Sequence, residues 1–209
     1  ELKTLQAQIK PHFLYNTLDT INWLAQGHGA DDIVEIVSAL TNLFRIGISK
    51  GKEMITVNEE LDHVRSYLVI QKARYEDKLD YEIIYDEALM DYSVLKLILQ
   101  PIVENAIYHG IKMKRGKGKL IVSVRKEGEK LVLSVTDNGV GIPPEKAQKI
   151  MDILEGRQAE NHDVGYGIFN VNERIRLTYG AGYGLKLSSI YGEGTTVEIW
   201  HPLIERGAV

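Results

Sequence analysis

Apolar residues recur at helical spacing from the first turn of the chain. At about 100° per residue, Leu2, Leu5, Ile9 and Phe13 share one face, whereas Leu14, Leu18, Ile21 and Ala25 share a roughly opposite one. The stripe changes sides near Pro11, as happens where proline resets a helix or where a bundle buries both faces. Gly27 and Gly29 end this helix, and Asp31 is placed to cap a second, whose stripe runs through Ile33, Val37, Leu40 and Phe44. After the loop GISKGKEMIT, Asn58 is placed to cap a third helix. That helix has Glu59 and Glu60 in its first turn and Leu61, Val64, Leu68 and Tyr75 along one face. So thin a hairpin needs a partner, and two copies burying their stripes together would make a four-helix homodimer.

From Leu79 the period shortens. Tyr81, Ile83 and Tyr85 alternate as in a strand, and an apolar helix is expected from about Val94 to Ile111. LIVSVRKE and KLVLSVTDNG read as a hairpin joined around Gly128. The segment from Ile142 to Asp163 interrupts the sheet with a short helical run and the polar QAENHD, and reads as a mobile lid. A helix from about Tyr166 to Thr178 and the strands GLKLSSI and GTTVEIW follow. The expectation is an α+β chain: a helical module over 1–78, then a sandwich of helices on a sheet over 79–209, with a hinge near 76–80.

Length fits this division, since 209 residues suit one small and one medium unit, and 44% hydrophobic residues can build a core. A net charge of -4 argues against general binding to nucleic acid or anionic membrane. The absence of cysteine excludes disulfides, thiolate zinc sites and cysteine nucleophiles, and fits a reducing cytoplasmic compartment. No apolar run of about eighteen residues and no secretory signal is found. Entry into a helical pattern at Glu1 and Leu2 suggests a piece of a longer protein.

Four segments of the second unit supply what an ATP site requires. In ENAIYHG, a step of four puts Asn105 and His109 on one helix face beside Glu104, and an amide oxygen is a hard ligand suited to Mg2+. Asp137 closes a strand before NGVG, so a carboxylate stands at the sheet end while Gly139 and Gly141 admit close backbone approach. Such a carboxylate can accept a hydrogen bond from the adenine amino group. Gly165 to Gly167 open a helix whose free amides form an anion site. In GEGTT, the hydroxyls of Thr195 and Thr196 are placed to support Asp137 directly or through water. Lys112, Lys114 and Arg115 stand where they could neutralise phosphate charge. Asn170 occupies the third-glycine position of a dinucleotide fingerprint, which excludes that reading.

The order of an asparagine helix, DNGVG, GYG and GEGTT resembles the nucleotide-binding fold shared by gyrase, Hsp90, histidine kinases and MutL, over about residues 79–203. LKTLQAQIKPHFLYNTLDTINWLA resembles the phosphoacceptor segment of LytS/YesM-type bacterial sensor kinases, as do RIGISKG and ITVNEELDHVRSYLVIQKARYEDKL. The resemblance implies ATP-dependent phosphorylation of the PHFLYN histidine, here His12, then transfer to a response regulator. It also implies membrane and sensor segments upstream. A neutral imidazole nitrogen can attack phosphorus in line. Many histidine kinases place an acidic residue directly after that histidine, and Phe13 stands there instead. Glu104 as base and Asn16 as orienter, one turn from His12, are the candidates. Two other classes fit part of the pattern: an ATPase switch that forms no phosphohistidine, and a dimerisation module that senses nucleotide without catalysis.

Overall fold

The computed structural model describes residues 11–48, 52–157 and 166–207. Its helical hairpin comprises α1 (Pro11–Gly27) and α2 (Asp31–Gly47), joined by a turn in which Gly29 takes φ 66°. Asp31 does not cap α2: the N-cap is Ala30, with no side-chain hydrogen bond. Asp31 and Asp32 lie instead in the first turn, where their charge meets the positive end of the helix dipole. On α1 only Leu18 and Ala25 are buried, while Phe13 and Trp23 stay 69% and 72% exposed. The first half of the apolar stripe, Leu2 to Ile9, lies outside the described residues.

The expected loop before the third helix contains a strand, β1 (Met54–Thr56), and the cap of α3 (Val57–Tyr75) is Thr56, not Asn58. Thr56 Oγ1 accepts from Glu59 N–H at 3.1 Å while the Glu59 carboxylate accepts from Thr56 N–H at 2.8 Å, a complete capping box. α3 is buried on most sides, as expected of a helix enclosed by others. One side meets α2, where Asn42 Nδ2 donates to Ser66 Oγ at 2.8 Å. Elsewhere Leu61, Val64 and Leu68 share one core with Ile98, Leu99 and Ile102. The core therefore runs across the 78/79 position, where only a 3-10 turn (Glu76–Lys78) joins α3 to the first strand of the main sheet.

That strand, β2 (Leu79–Ile84), is an edge of a five-stranded sheet of order β2-β4-β5-β7-β6, with β4 (Gly118–Glu127), β5 (Lys130–Asp137), β6 (Gly184–Ile190) and β7 (Gly194–Pro202). β2 and β4 pair in parallel and the rest antiparallel. Leu120, Val122, Val124, Leu131, Leu133 and Val135 are buried in the core. The opposite face carries a polar ladder, Ser123 to Ser134 at 2.7 Å and Thr136 to Thr196 at 3.0 Å. Helices α5 (Pro144–Leu154) and α6 (Tyr166–Tyr179) complete the helical layer over the sheet. Within the expected lid, Pro144–Leu154 is thus an ordered helix that buries Ala147, Ile150, Ile153 and Leu154, and 158–163 lies outside the described residues.

The run from Val94 to Ile111 is not one helix. It divides into β3 (Ser93–Leu95), paired antiparallel with β1, a turn over 96–99, α4 (Gln100–Asn105) and a π-helical turn, Ala106–Ile111. Pro101 sits in the first turn of α4, where its missing N–H costs nothing. Among the described residues no helix is long and apolar enough to cross a membrane.

Candidate nucleotide site and phosphoacceptor histidine

The sheet end, α4 with its π turn and the start of α6 enclose a cavity of about 340 Å³. That is within the range of ligand cavities, roughly 300–1,000 Å³. Asn105, His109, Asp137, Gly141 and Thr195 all line it, as do Lys146, Ile150, Ile168 and Phe169. The last four carried no motif, since an apolar wall is chosen by helices α5 and α6 docking on the sheet.

Asp137 stands at the floor. Burial pushes its carboxyl up to about 6, against the backbone amides of Gly139 and Thr195 and the charge of Lys114, which hold it down. Gly139 N–H donates to Asp137 Oδ1 at 2.7 Å. The carboxylate fits here only because two neighbours lack a Cβ: one built on Gly110 would lie 2.5 Å from Asp137 Oδ1, and one on Gly139 would strike the Gly110 backbone. Gly141, at φ 65°, passes so close to the Ile190 carbonyl that no Cβ fits. An acceptor-only group at the end of an apolar cavity suits a ligand amino group.

Asn105 Nδ2 donates to Pro101 O at 2.7 Å, so the amide nitrogen is engaged and the oxygen is the end left for a cation. Gly167, at the start of α6, approaches this amide: a Cβ there would lie 3.7 Å from Asn105 Nδ2. The N-terminus of α6, where the first amides of a helix have no partner within the helix, therefore stands beside the amide that would hold a metal. No group of three or more His, Cys, Asp or Glu among the described residues could hold a metal ion. A cation bound by Asn105 would draw its other oxygens from phosphates and water, as Mg2+ prefers. The residues present thus fit a nucleotide carrying Mg2+.

Not every expected residue joins the cavity. Thr196 turns to the other face of the sheet, because successive side chains on a strand alternate, and meets Thr136 there. The Thr195 backbone amide serves Asp137, while its hydroxyl lies 2.9 Å from Ser189 Oγ. Glu104 does not line the cavity: it accepts from Gln100 Nε2 at 2.8 Å and lies close enough to Tyr67 to act on its hydroxyl. Lys114 Nζ donates to Asn138 O at 2.7 Å, Lys112 lies over the Tyr108 ring at 5.6 Å, and Arg115 is exposed. Gly165 lies outside the described residues.

His12 is exposed on α1, and its Nδ1 lies 3.3 Å from Asn16 Nδ2. The helix is held to α2 by Tyr15, whose hydroxyl donates to Phe44 O at 3.2 Å.

Residues 1–79 match the family described as Histidine kinase, and residues 90–205 that described as Histidine kinase-, DNA gyrase B-, and HSP90-like ATPase. The chain is 38% identical over 202 residues to the sensor histidine kinase YesM of Bacillus subtilis, covering 97% of this chain and 33% of that one. It is 33% identical over 205 residues to the sensor protein LytS of Staphylococcus saprophyticus, covering 97% and 34%. The chain thus spans about a third of the length of these curated relatives. Its fold is similar to the histidine kinase domain of the blue-light activated histidine kinase of Erythrobacter litoralis, with a TM-score of 0.52 at 20% identity over 92% of this chain and 96% of that one. The chain belongs to the histidine kinase family, related to bacterial sensor kinases of the LytS/YesM type, and joins a phosphoacceptor segment to the ATPase domain for which ATP and Mg2+ are the characteristic ligands.

Proposed function

We propose that this chain phosphorylates its own His12 from ATP and passes the phosphoryl group to the receiver domain of a response regulator. The observation that carries this reading is the convergence of Asp137, Asn105 and the start of α6 on one cavity, in a chain that also presents His12 on an exposed helix face. Asp137 takes the adenine amino group, and the amides opening α6 face the phosphates. The Asn105 oxygen would hold Mg2+, which when bound would neutralise phosphate charge.

The histidine needs one free ring nitrogen. Amide nitrogen and oxygen of Asn16 can exchange places by rotation. With its oxygen toward the ring, Asn16 accepts from Nδ1–H and leaves the Nε2 lone pair free. Nε2 then attacks the γ-phosphorus, the bond from that phosphorus to the bridging oxygen breaks, and ADP leaves with its electrons. Glu104 is a base candidate only through rearrangement of its Gln100 hydrogen bond.

The working parts follow the burial. The sequence division at 78/79 marks the change from helices to sheet, and α3 shares a core with α4 at whose edge Leu43 and Ile46 of α2 also pack, so bringing His12 to the cavity would require α1 and α2 to shift against α3. The exposed apolar side chains of α1 support a homodimer. Membrane attachment would come through segments outside this sequence, leaving this part cytoplasmic, and nothing in its charge favours direct contact with nucleic acid.

Incubation with Mg2+ and γ-labelled ATP tests the reading. Acid-labile label is expected on the wild type, with less than about 1% of it on His12→Gln and Asn105→Ala. Release of free phosphate without retained label would assign the chain to the ATPase switches instead.

A further inference from the structure

Glu60 is a wholly buried carboxylate on α3 that the roles above leave unused. Its Oε2 accepts from Leu97 N–H at 2.8 Å and its Oε1 from Leu99 N–H at 2.7 Å. Leu99 is the N-cap residue of α4, and its side chain provides no cap. A carboxyl group from another helix therefore satisfies the amide at that end, although burial pushes its pKa up to about 7.

The turn it grips is unusual. Leu97 adopts φ 58°, the left-handed region that a leucine seldom enters. Further ties hold the neighbouring residues: Arg174 Nη2 donates to Lys96 O at 3.0 Å, and Leu95 N–H donates to His201 Nε2 at 3.3 Å. Lys96 Nζ donates to Gly47 O, the last residue of α2, at 2.8 Å. One short turn thus touches the end of the hairpin, the buried face of α3 and the start of the helix that ends in Asn105.

We propose that Glu60 is a positioning residue for phosphoryl transfer: by gripping the 97–99 turn it fixes the direction of α4, and so the place of the Asn105 oxygen in the cavity. Because the same turn touches α2 through Lys96, a shift of the hairpin reaches Asn105 along this path. The inference rests on the metal-holding role of Asn105 and the acceptor role of His12 proposed above. Two N–H groups require two acceptors, and a carboxylate supplies both. Glutamine has the same shape but only one oxygen, so Glu60→Gln leaves one N–H facing an NH2 group.

The test uses the 209-residue chain and three readouts: calorimetric ATP affinity without Mg2+, the Mg2+ dependence of that affinity, and the rate of labelling at saturating ATP. For Glu60→Gln the expected result is a cooperative melt, Mg2+-free affinity within about two-fold of wild type, and apparent Mg2+ affinity and maximal labelling rate each lower by on the order of ten-fold. The Asp137 end of the cavity is untouched, which is why Mg2+-free binding is spared. Wild-type values throughout would overturn the proposal, as would an equal fall of Mg2+-free and Mg2+-bound affinity, the mark of general loosening. If Glu60→Gln fails to melt cooperatively, Arg174→Gln removes an exposed tie on the same turn and should show the same split at about two- to three-fold; no split there overturns it too. A wild type that binds MgATP but never retains label would remove the His12 reading alone, since the Mg2+ split is read in binding.

Discussion

Asp137, proposed to take the adenine amino group, sits in a place that disfavours charge. Burial raises its pKa from 3.8 to about 6, so between those values the folded chain holds a proton that the unfolded chain has released. Its contribution to stability therefore falls as pH rises through this window, by roughly 3 kcal/mol at most, and the cost is fully present at neutral pH. Asp137→Asn removes the cost but keeps one acceptor for the Gly139 amide. Relative to wild type, the variant is expected to melt about 4 °C higher at pH 7.5, with the gain gone by about pH 4, while ATP binding is lost. Differential scanning calorimetry across pH checks the first part; a gain that persists at low pH would show that charge burial is not its source. The residue was singled out by DNGVG only in company with the three other motifs, and its partners were not legible: the hydroxyl expected from Thr196 points to the other face, and the amides of Gly139 and Thr195 bond the carboxylate instead.

Elements begin and end where tertiary partners let them. Thr56, not Asn58, caps α3 because β1 pairs with β3, Thr56 opposite Ser93, and so Thr56 is the last extended residue, at ψ 158°. Thr56→Ala removes the capping box at a cost of about 1 kcal/mol, lowering the melting temperature by about 3 °C with labelling of His12 unchanged at 25 °C. A melt monitored by circular dichroism reads this; an unchanged melting point would mean that the Glu59 half of the box and the strand pairing suffice. The run from Val94 to Ile111 shows the same dependence. Its apolar residues are dense from Val94 to Val103 and Val94, Leu95, Ile98, Leu99, Ile102 and Val103 are all buried, so the strand, turn and helix could not be separated in the sequence. Its turn is set from outside, by Glu60, His201 and Arg174.

At the scale of the molecule, the hairpin leaves Phe13, Ile21, Trp23 and Leu24 exposed, a large apolar area for one short helix. Burial against a second copy is the proposal that accounts for it. Trp23→Glu is expected to halve the mass in light scattering while leaving the sheet domain folded by circular dichroism, because α3 and the catalytic core do not depend on that face. An unchanged dimer would place the interface elsewhere. α3 is bonded to the 97–99 turn and buried with α4 in one core, while α2 meets it through Leu43 and Ile46 at the edge of that core and through the polar pair Asn42 and Ser66.

The sequence by itself determined the helices of the hairpin, the five strands of the main sheet, the α+β class and the residues with ligand chemistry. These follow from local periodicity and from short motifs such as ENAIYHG and DNGVG, whose meaning depends on neighbours a few positions away. Only the tertiary structure decided which of those residues share the cavity, where the true helix caps fall and that α3 packs into one core with α4. Each of these depends on groups far apart in the chain, Thr56 with Ser93, Gly110 with Asp137 and Glu60 with Leu97, and burial gives such pairs their energy without leaving a repeat in the sequence.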